Sequence, residues 1–133
     1  MLKEQECKEW IDHNIEPLMR SLGIPHWQVD VEYGVNPDRH GDCDTLPDYE
    51  RALMTLYPAS IESIEQLEKT VIHELCHILH SPFARFEKAL DGVFEGSDQK
   101  ITTLFSNIYV TACERTVKNL ERLLVAQREK YGV

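Results

Sequence analysis

The chain has 133 residues, of which 42% are hydrophobic and 28% charged, and its formal net charge is −9. This length and composition predict one globular domain over residues 1–133. The 14 basic residues are scattered, which argues against nucleic acid as a partner, since phosphates are bound by clustered Lys and Arg. No apolar run approaches the roughly 20 residues of a membrane-spanning helix, and the charged N-terminus lacks the apolar core of a signal peptide. We therefore expect a cytoplasmic protein without a membrane partner; no pattern indicates an oligomeric state.

The first predicted elements are a helix and a strand. Apolar side chains recur at helical spacing over residues 2–22, and Gly23 is typical of a helix end. Pro17 lies inside this pattern and predicts a kink or a break near Asn14. Residues 27–33 alternate strictly between apolar and polar side chains, which predicts a strand with one buried face.

Residues 34–49 are rich in Gly, Pro and Asp and predict an acidic loop. The segment is long for a connection without secondary structure, so we expect a short hairpin or a substrate-facing lid within it. His40, Asp42, Cys43 and Asp44 raise the alternative of a second metal site. Their spacing matches no established ligand pattern, so a solvated loop is the favoured interpretation.

Residues 51–57 predict a further strand, or two short strands separated at Pro58. Because proline has no N–H to donate to a neighbouring strand, we expect this strand at an edge of the sheet. An extended peptide could then bind by adding to that edge as a new strand.

The next helix is predicted to begin at Ser63, which has the spacing of a capping box with Gln66. Ser81-Pro82 ends it, because proline cannot continue the helical hydrogen bonds. Its apolar positions recur at steps of three and four and predict a core-facing side, formed by Ile64, Leu67, Val71, Leu75 and Ile78.

This helix carries the motif H-E-x-x-H. His73 and His77, at i and i+4, project from one helix face one turn apart and can hold one metal ion. The pair suits Zn²⁺, which in catalytic sites leaves one position for water. Glu74 would take a proton from that water, as in other H-E-x-x-H sites. Because the composition predicts only about 0.03 accidental motifs in the chain, a solvated His/Glu face is the weaker interpretation.

The last predicted element is a long helix from about residue 98 to 131. A connection over residues 83–99, expected to include a short helix, precedes it. The apolar side chains predict a core face formed by Ile101, Leu104, Phe105, Ile108, Val110, Ala112, Val117, Leu120, Leu123, Leu124 and Val125.

Two residues are candidates for the third metal ligand. His80 lies within about 20° of the helix face of His73 but about 10.5 Å further along the axis, so one shared ion is hard to reach. Glu114 lies in the middle of the long helix, which must pack against the H-E-x-x-H helix to bury both apolar faces. This geometry ranks Glu114 above His80.

The sequence resembles the minimal zincin-like metallopeptidase domains of phages and prophage-derived bacterial regions, which are small H-E-x-x-H proteins of the gluzincin type. The matching segments are W-x-V-x-V at 27–31, the apolar strand ending in Tyr57-Pro58, V-I-H-E-L-C-H-I-L-H-S-P at 71–82 and E-R-T-V-K-N-L-E-R-L-L at 114–124. The resemblance implies an α+β, zincin-like fold. Its expected parts are an N-terminal helix, a small twisted antiparallel or mixed sheet, and an H-E-x-x-H helix packed on a long C-terminal helix.

The resemblance also implies a site. Zn²⁺ would be held by His73, His77 and Glu114, with Glu74 as the general base, in a bacterial or phage-encoded protein. The gluzincin pattern has an acidic residue four positions after the glutamate ligand, and this chain has Lys118 there.

The expected function is zinc-dependent hydrolysis of a peptide or protein substrate. One alternative is a phage or prophage module in which zinc has a regulatory or structural role without catalysis. Another is a zinc hydrolase of non-peptide amides, which a deep closed pocket would favour, whereas an open cleft beside the strand at 51–57 would favour peptides. Candidates for oxyanion stabilisation, by residue type alone, are Tyr57, Tyr109 and His80.

Overall fold

The structure, a computed structural model, describes residues 1–83 and 99–131. Its main elements are α1 (Glu4–Ser21), β1 (Gln28–Tyr33), β2 (Gly41–Leu46), β3 (Arg51–Leu56), α2 (Ile64–His80) and α3 (Gln99–Tyr131). The predicted α+β class is confirmed: an N-terminal helix, a small mixed sheet, and α2 packed against α3. The short helix predicted in the connection falls on residues 84–98, outside the described part.

The sheet has the strand order β1-β3-β2. β1 runs parallel to β3 and β2 runs antiparallel to it, so that Val31 and Cys43 lie on either side of Met54. β3 is therefore the central strand, and the prediction that it lies at an edge was wrong. Pro58 follows the end of β3 in a single 3₁₀ turn, Pro58–Ser60, where it removes no sheet hydrogen bond. The second neighbour, β2, comes from the acidic loop and pairs with β3 across the turn at Pro47–Tyr49. The loop thus contains one strand of a hairpin, not the whole hairpin that was expected within it.

The core lies between the helices and one face of the sheet. Ala52, Met54 and Leu56 alternate along β3 with less buried residues and are at most 5% exposed. The predicted apolar side of α2 is buried at Leu67, Val71, Leu75 and Ile78, and only Ile64, in the first turn, is wrong, being 42% exposed. These side chains join the buried positions of α1, which are Cys7, Ile11, Leu18 and Met19.

The ends of the helices follow the predicted signals closely. α1 ends before Gly23, whose φ of 74° is a backbone conformation that glycine adopts without strain. The helix continues through Pro17, so the predicted break was wrong. At the start of α2 the Ser63 hydroxyl accepts a hydrogen bond from the Gln66 N–H at 3.1 Å. The Gln66 side chain accepts from the N–H of Glu62, one residue earlier than a capping box requires.

The predicted core face of α3 is only partly buried. Val117 is fully buried, but Leu104, Ile108, Val110 and Leu123 are between 48% and 68% exposed and Ala112 is exposed, so the prediction was wrong at these positions. The side chains of Ile101 and Phe105 lie outside the described part. Length accounts for Leu104 and Ile108, which precede the stretch of α3 that runs along α2: the 33 residues of α3 span about 50 Å, whereas the 17 residues of α2 span about 25 Å. Neither α3 nor any other helix within the described ranges combines the length and apolar character that crossing a membrane requires.

Candidate metal centre

The structure brings three of the predicted ligands together. Donor atoms of His73, His77 and Glu114 all lie within 4.8 Å of one another. The Glu114 carboxylate lies 3.4 Å from Nε2 of His77 and 3.8 Å from Nε2 of His73. The two imidazoles come from successive turns of α2 and the carboxylate comes from α3, so the group depends on the packing of the two helices.

His80 lies outside this group. Its ring packs against Phe83, with the ring centroids 4.8 Å apart, and it lines a smaller neighbouring cavity with Tyr109 and Cys113. Its position one turn beyond that of His77 along the helix axis explains the separation. The structure thus favours Glu114 over His80 as the third ligand.

Glu121 holds the first histidine in place. Its Oε2 lies 2.9 Å from Nδ1 of His73, and both side chains are 22% exposed. A proton on Nδ1, donated to this carboxylate, leaves Nε2 of His73 with the free lone pair that a metal ion needs. Glu121 was not among the predicted site residues, because the prediction extended only to the position four residues after Glu114. Glu121 lies seven residues after it, two helical turns away and on nearly the same face.

Glu74 is buried beside the ligands. It is only 6% exposed, and burial raises the pKa of its carboxyl from 4.5 to about 7. Positive charge on His73 opposes this shift in pKa, and the carboxylates of Asp42 and Glu114 add to it. Its carboxyl can therefore take up and release a proton near neutral pH.

The pKa of Glu74 predicts how the stability of the metal-free protein depends on pH. The folded protein holds this proton to a higher pH than the unfolded chain does. The contribution of protonated Glu74 to the free energy of unfolding is therefore complete below about pH 4.5. It is lost as the pH rises through about 7, where the buried carboxyl ionises. A permanently neutral Glu74→Gln variant is expected to gain about 2 kcal/mol in free energy of unfolding at pH 8, and little at pH 4.5.

Urea unfolding in the presence of a chelator, at both pH values, measures this difference. Glu16→Gln removes an exposed carboxylate from α1 and is the matched control, which should show no gain at pH 8. Equal effects of Glu74→Gln at the two pH values would contradict the assignment.

A cavity of about 720 Å³ lies over the ligands, between β2, α2 and α3. A close approach of β2 to α2 narrows it at Gly41, where a Cβ atom would lie 3.1 Å from Cγ2 of Thr70. Cys43 and Glu74 line the same cavity. The cavity therefore runs along β2, an edge strand of the described sheet.

The four polar residues of the acidic loop do not form a second metal site. His40, Asp42 and Cys43 line the cavity. Within residues 1–83 and 99–131, however, the group formed by the two α2 histidines and Glu114 is the one set of donor atoms close enough to hold an ion. Residues 41–46 form β2, so the interpretation of this segment as a solvated loop was wrong there.

The candidate oxyanion groups are engaged elsewhere. The Tyr57 hydroxyl donates to Asp42 at 2.7 Å, and Asp42 also pairs with Arg39. The Tyr109 hydroxyl donates to the carbonyl of Phe83. Arg39, which the sequence analysis did not consider, lines the metal cavity and is held there by Asp42.

The donor set fits a zinc ion. Two imidazole nitrogens and one carboxylate oxygen are a typical set for catalytic zinc, and a second carboxylate fixes one imidazole, as metal-binding histidines usually require. Comparison of the chain with known family models, curated proteins and solved structures finds no match.

Proposed function

We propose that the protein is a zinc-dependent metallopeptidase with a zincin-like fold. The observation that carries the proposal is the convergence of His73, His77 and Glu114 from two helices, with Glu74 buried beside them. A purely structural zinc site normally has four protein ligands, whereas the three found among the described residues leave a position for a reacting group.

Each residue of the site has a separate role in the proposed reaction. A bound Zn²⁺ ion supplies a Lewis acid that polarises a carbonyl and increases the acidity of water. The Glu74 carboxylate would accept a proton from the attacking water and give it to the leaving amine, a role that its position beside the ligands allows. Glu121 keeps the Nδ1 side of His73 occupied, so that Nε2 faces the ion.

The shape of the site favours a peptide over a compact amide. The metal cavity is a groove between β2 and α3, and β2 has a neighbouring strand on only one side within the described sheet. An extended peptide can pair its main chain with the other side of β2 and pass over the ligands. β2 thus takes the role that the sequence analysis gave to residues 51–57.

Cleavage of a proteome-derived peptide mixture, followed by mass spectrometry, tests the function. The zinc-loaded wild type is expected to generate new peptide termini. Glu74→Gln should bind zinc equally and lose at least about 100-fold in rate, because it cannot take up the proton. Glu16→Gln, an exposed change on α1 that does not line the metal cavity, is the control for the loss of a carboxylate.

Equal rates for the wild type and Glu74→Gln would refute the hydrolytic mechanism. Stoichiometric zinc without cleavage of any peptide, together with melting on chelation, would instead indicate a structural zinc module.

A further inference from the structure

A second cavity adjoins the metal cavity along the contact between α2 and α3. Its volume is about 440 Å³, and Lys69 and Glu121 line both cavities. Its other charged lining residues are Lys118, Arg122 and Glu129, and Val125 contributes apolar surface. Lys69 precedes His73 by one helical turn on α2, so this cavity opens beside the proposed site of chemistry.

The second cavity differs in charge from the first. In the metal cavity carboxylates outnumber the cations Arg39 and Lys69; they are those of Asp38, Asp42, Glu74, Glu114 and Glu121. In the second cavity the three cations outnumber the two carboxylates, which are those of Glu121 and Glu129, although the whole chain has a net charge of −9. A substrate group that enters it therefore meets a positive field beside an otherwise acidic groove.

Two of these cations lack a carboxylate partner. Within the described part of the chain, no carboxylate lies within 4.0 Å of the charged groups of Lys118 and Arg122, whereas Lys69 pairs with exposed Glu65 at 3.4 Å. Glu121 lies between them in sequence, but its carboxylate is bonded to His73. Lys118 and Arg122 are like charges at i and i+4, an arrangement that weakens a helix and that a bound anion would relieve.

The direction of β2 determines which end of a peptide paired with it lies near these cations. β2 runs in the same direction as α2: its first residue, Gly41, lies against Thr70, and Thr45 lines a cavity with His80. The cationic cavity is thus at the end where β2 begins. A peptide that pairs antiparallel with β2, the more stable pairing, runs with its carboxyl end toward Lys69.

We propose that Lys69, Lys118 and Arg122 form a carboxylate-binding subsite for the part of the substrate that follows the scissile bond. The inference rests on the proposed peptidase function. The ligand is a carboxylate, which the C-terminus of a short peptide or an acidic side chain can supply.

Peptide binding to the zinc-loaded Glu74→Gln protein tests the subsite without turnover. The probes are three fluorescent pools of random octapeptides: one with a free C-terminal carboxylate, one with a C-terminal amide, and one amidated with Glu as its last residue. Fluorescence anisotropy gives the affinity of each pool. The proteins are the Glu74→Gln parent, the same protein with K118E/R122E, and a control with R20E/R115E, which reverses two exposed charges that line neither cavity.

The parent and the control are expected to bind at least one carboxylate-bearing pool about tenfold more tightly than the plain amide pool. In K118E/R122E the ratio of the two affinities should fall to about one. A preference confined to the free C-terminus identifies the terminal carboxylate, and one shared with the Glu pool identifies the side chain. Equal affinity for all three pools in the parent, or an unchanged preference in K118E/R122E, would overturn the proposal.

Turnover by the wild type on the same pools separates the two hypotheses. A carboxylate preference without cleavage would leave the subsite standing and refute the peptidase function. Cleavage without any carboxylate preference would support the peptidase function and refute the subsite.

Discussion

Replacing Glu114 by alanine is expected to remove bound zinc, whereas replacing His80 by alanine should leave one zinc ion per chain. The Glu114 carboxylate lies 3.4 Å from Nε2 of His77, and His80 packs against Phe83 outside the group. Loss of one of three protein ligands should weaken zinc binding by more than about 100-fold. Loss of a residue that only forms a hydrogen bond to a ligand usually has a smaller effect. Metal analysis of the purified variants after dialysis measures the difference.

The two variants serve as controls for each other, because each removes one polar side chain from the same region. Circular dichroism shows whether both remain folded. Zinc retained in Glu114→Ala and lost in His80→Ala would place all three ligands on α2 and would refute the α3 ligand.

The second large effect is expected at Glu121. Replacing it by alanine should lower zinc affinity by about 10- to 100-fold, because His73 loses the carboxylate that orients its ring and increases the basicity of Nε2. Glu121→Gln should have a smaller effect, since its amide oxygen can still accept the hydrogen bond from Nδ1 without the charge. Competition with a chromophoric chelator gives the affinities.

Glu129→Ala is the matched control, since it removes an exposed carboxylate two turns further along α3. An affinity unchanged in Glu121→Ala would show that the 2.9 Å contact with His73 does not support the metal site.

Local signals account for what the sequence predicted about α2. Ser63 accepts a hydrogen bond at one end, Pro82 follows the other end, and the buried positions recur at helical steps. The positions of His73 and His77 follow from the same period, because the spacing i, i+4 brings their rings together on any regular helix. Hence two of the three candidate ligands could be predicted from a single element.

The features that sequence reasoning missed depend on contacts between distant segments. β2, with the sequence G-D-C-D-T-L, lacks the apolar alternation of an ordinary strand and forms because β3 offers it a partner. The central position of β3 depends in turn on β2. The contact between Glu121 and His73 spans 48 residues and is fixed by the register between α2 and α3, which no local pattern encodes.

The composition of the α2–α3 contact has a consequence for metal uptake. Among its described side chains, α3 has one fully buried apolar residue, Val117, and its polar contacts to α2 include the Arg128–Glu68 pair. Since Glu114 reaches the histidines only when α3 is docked, the apparent zinc affinity is the intrinsic affinity multiplied by the docked fraction. Zinc binding would therefore stabilise the docking of α3 on α2. A substitution at Arg128 is expected to weaken zinc binding, although Arg128 is not one of the candidate ligands.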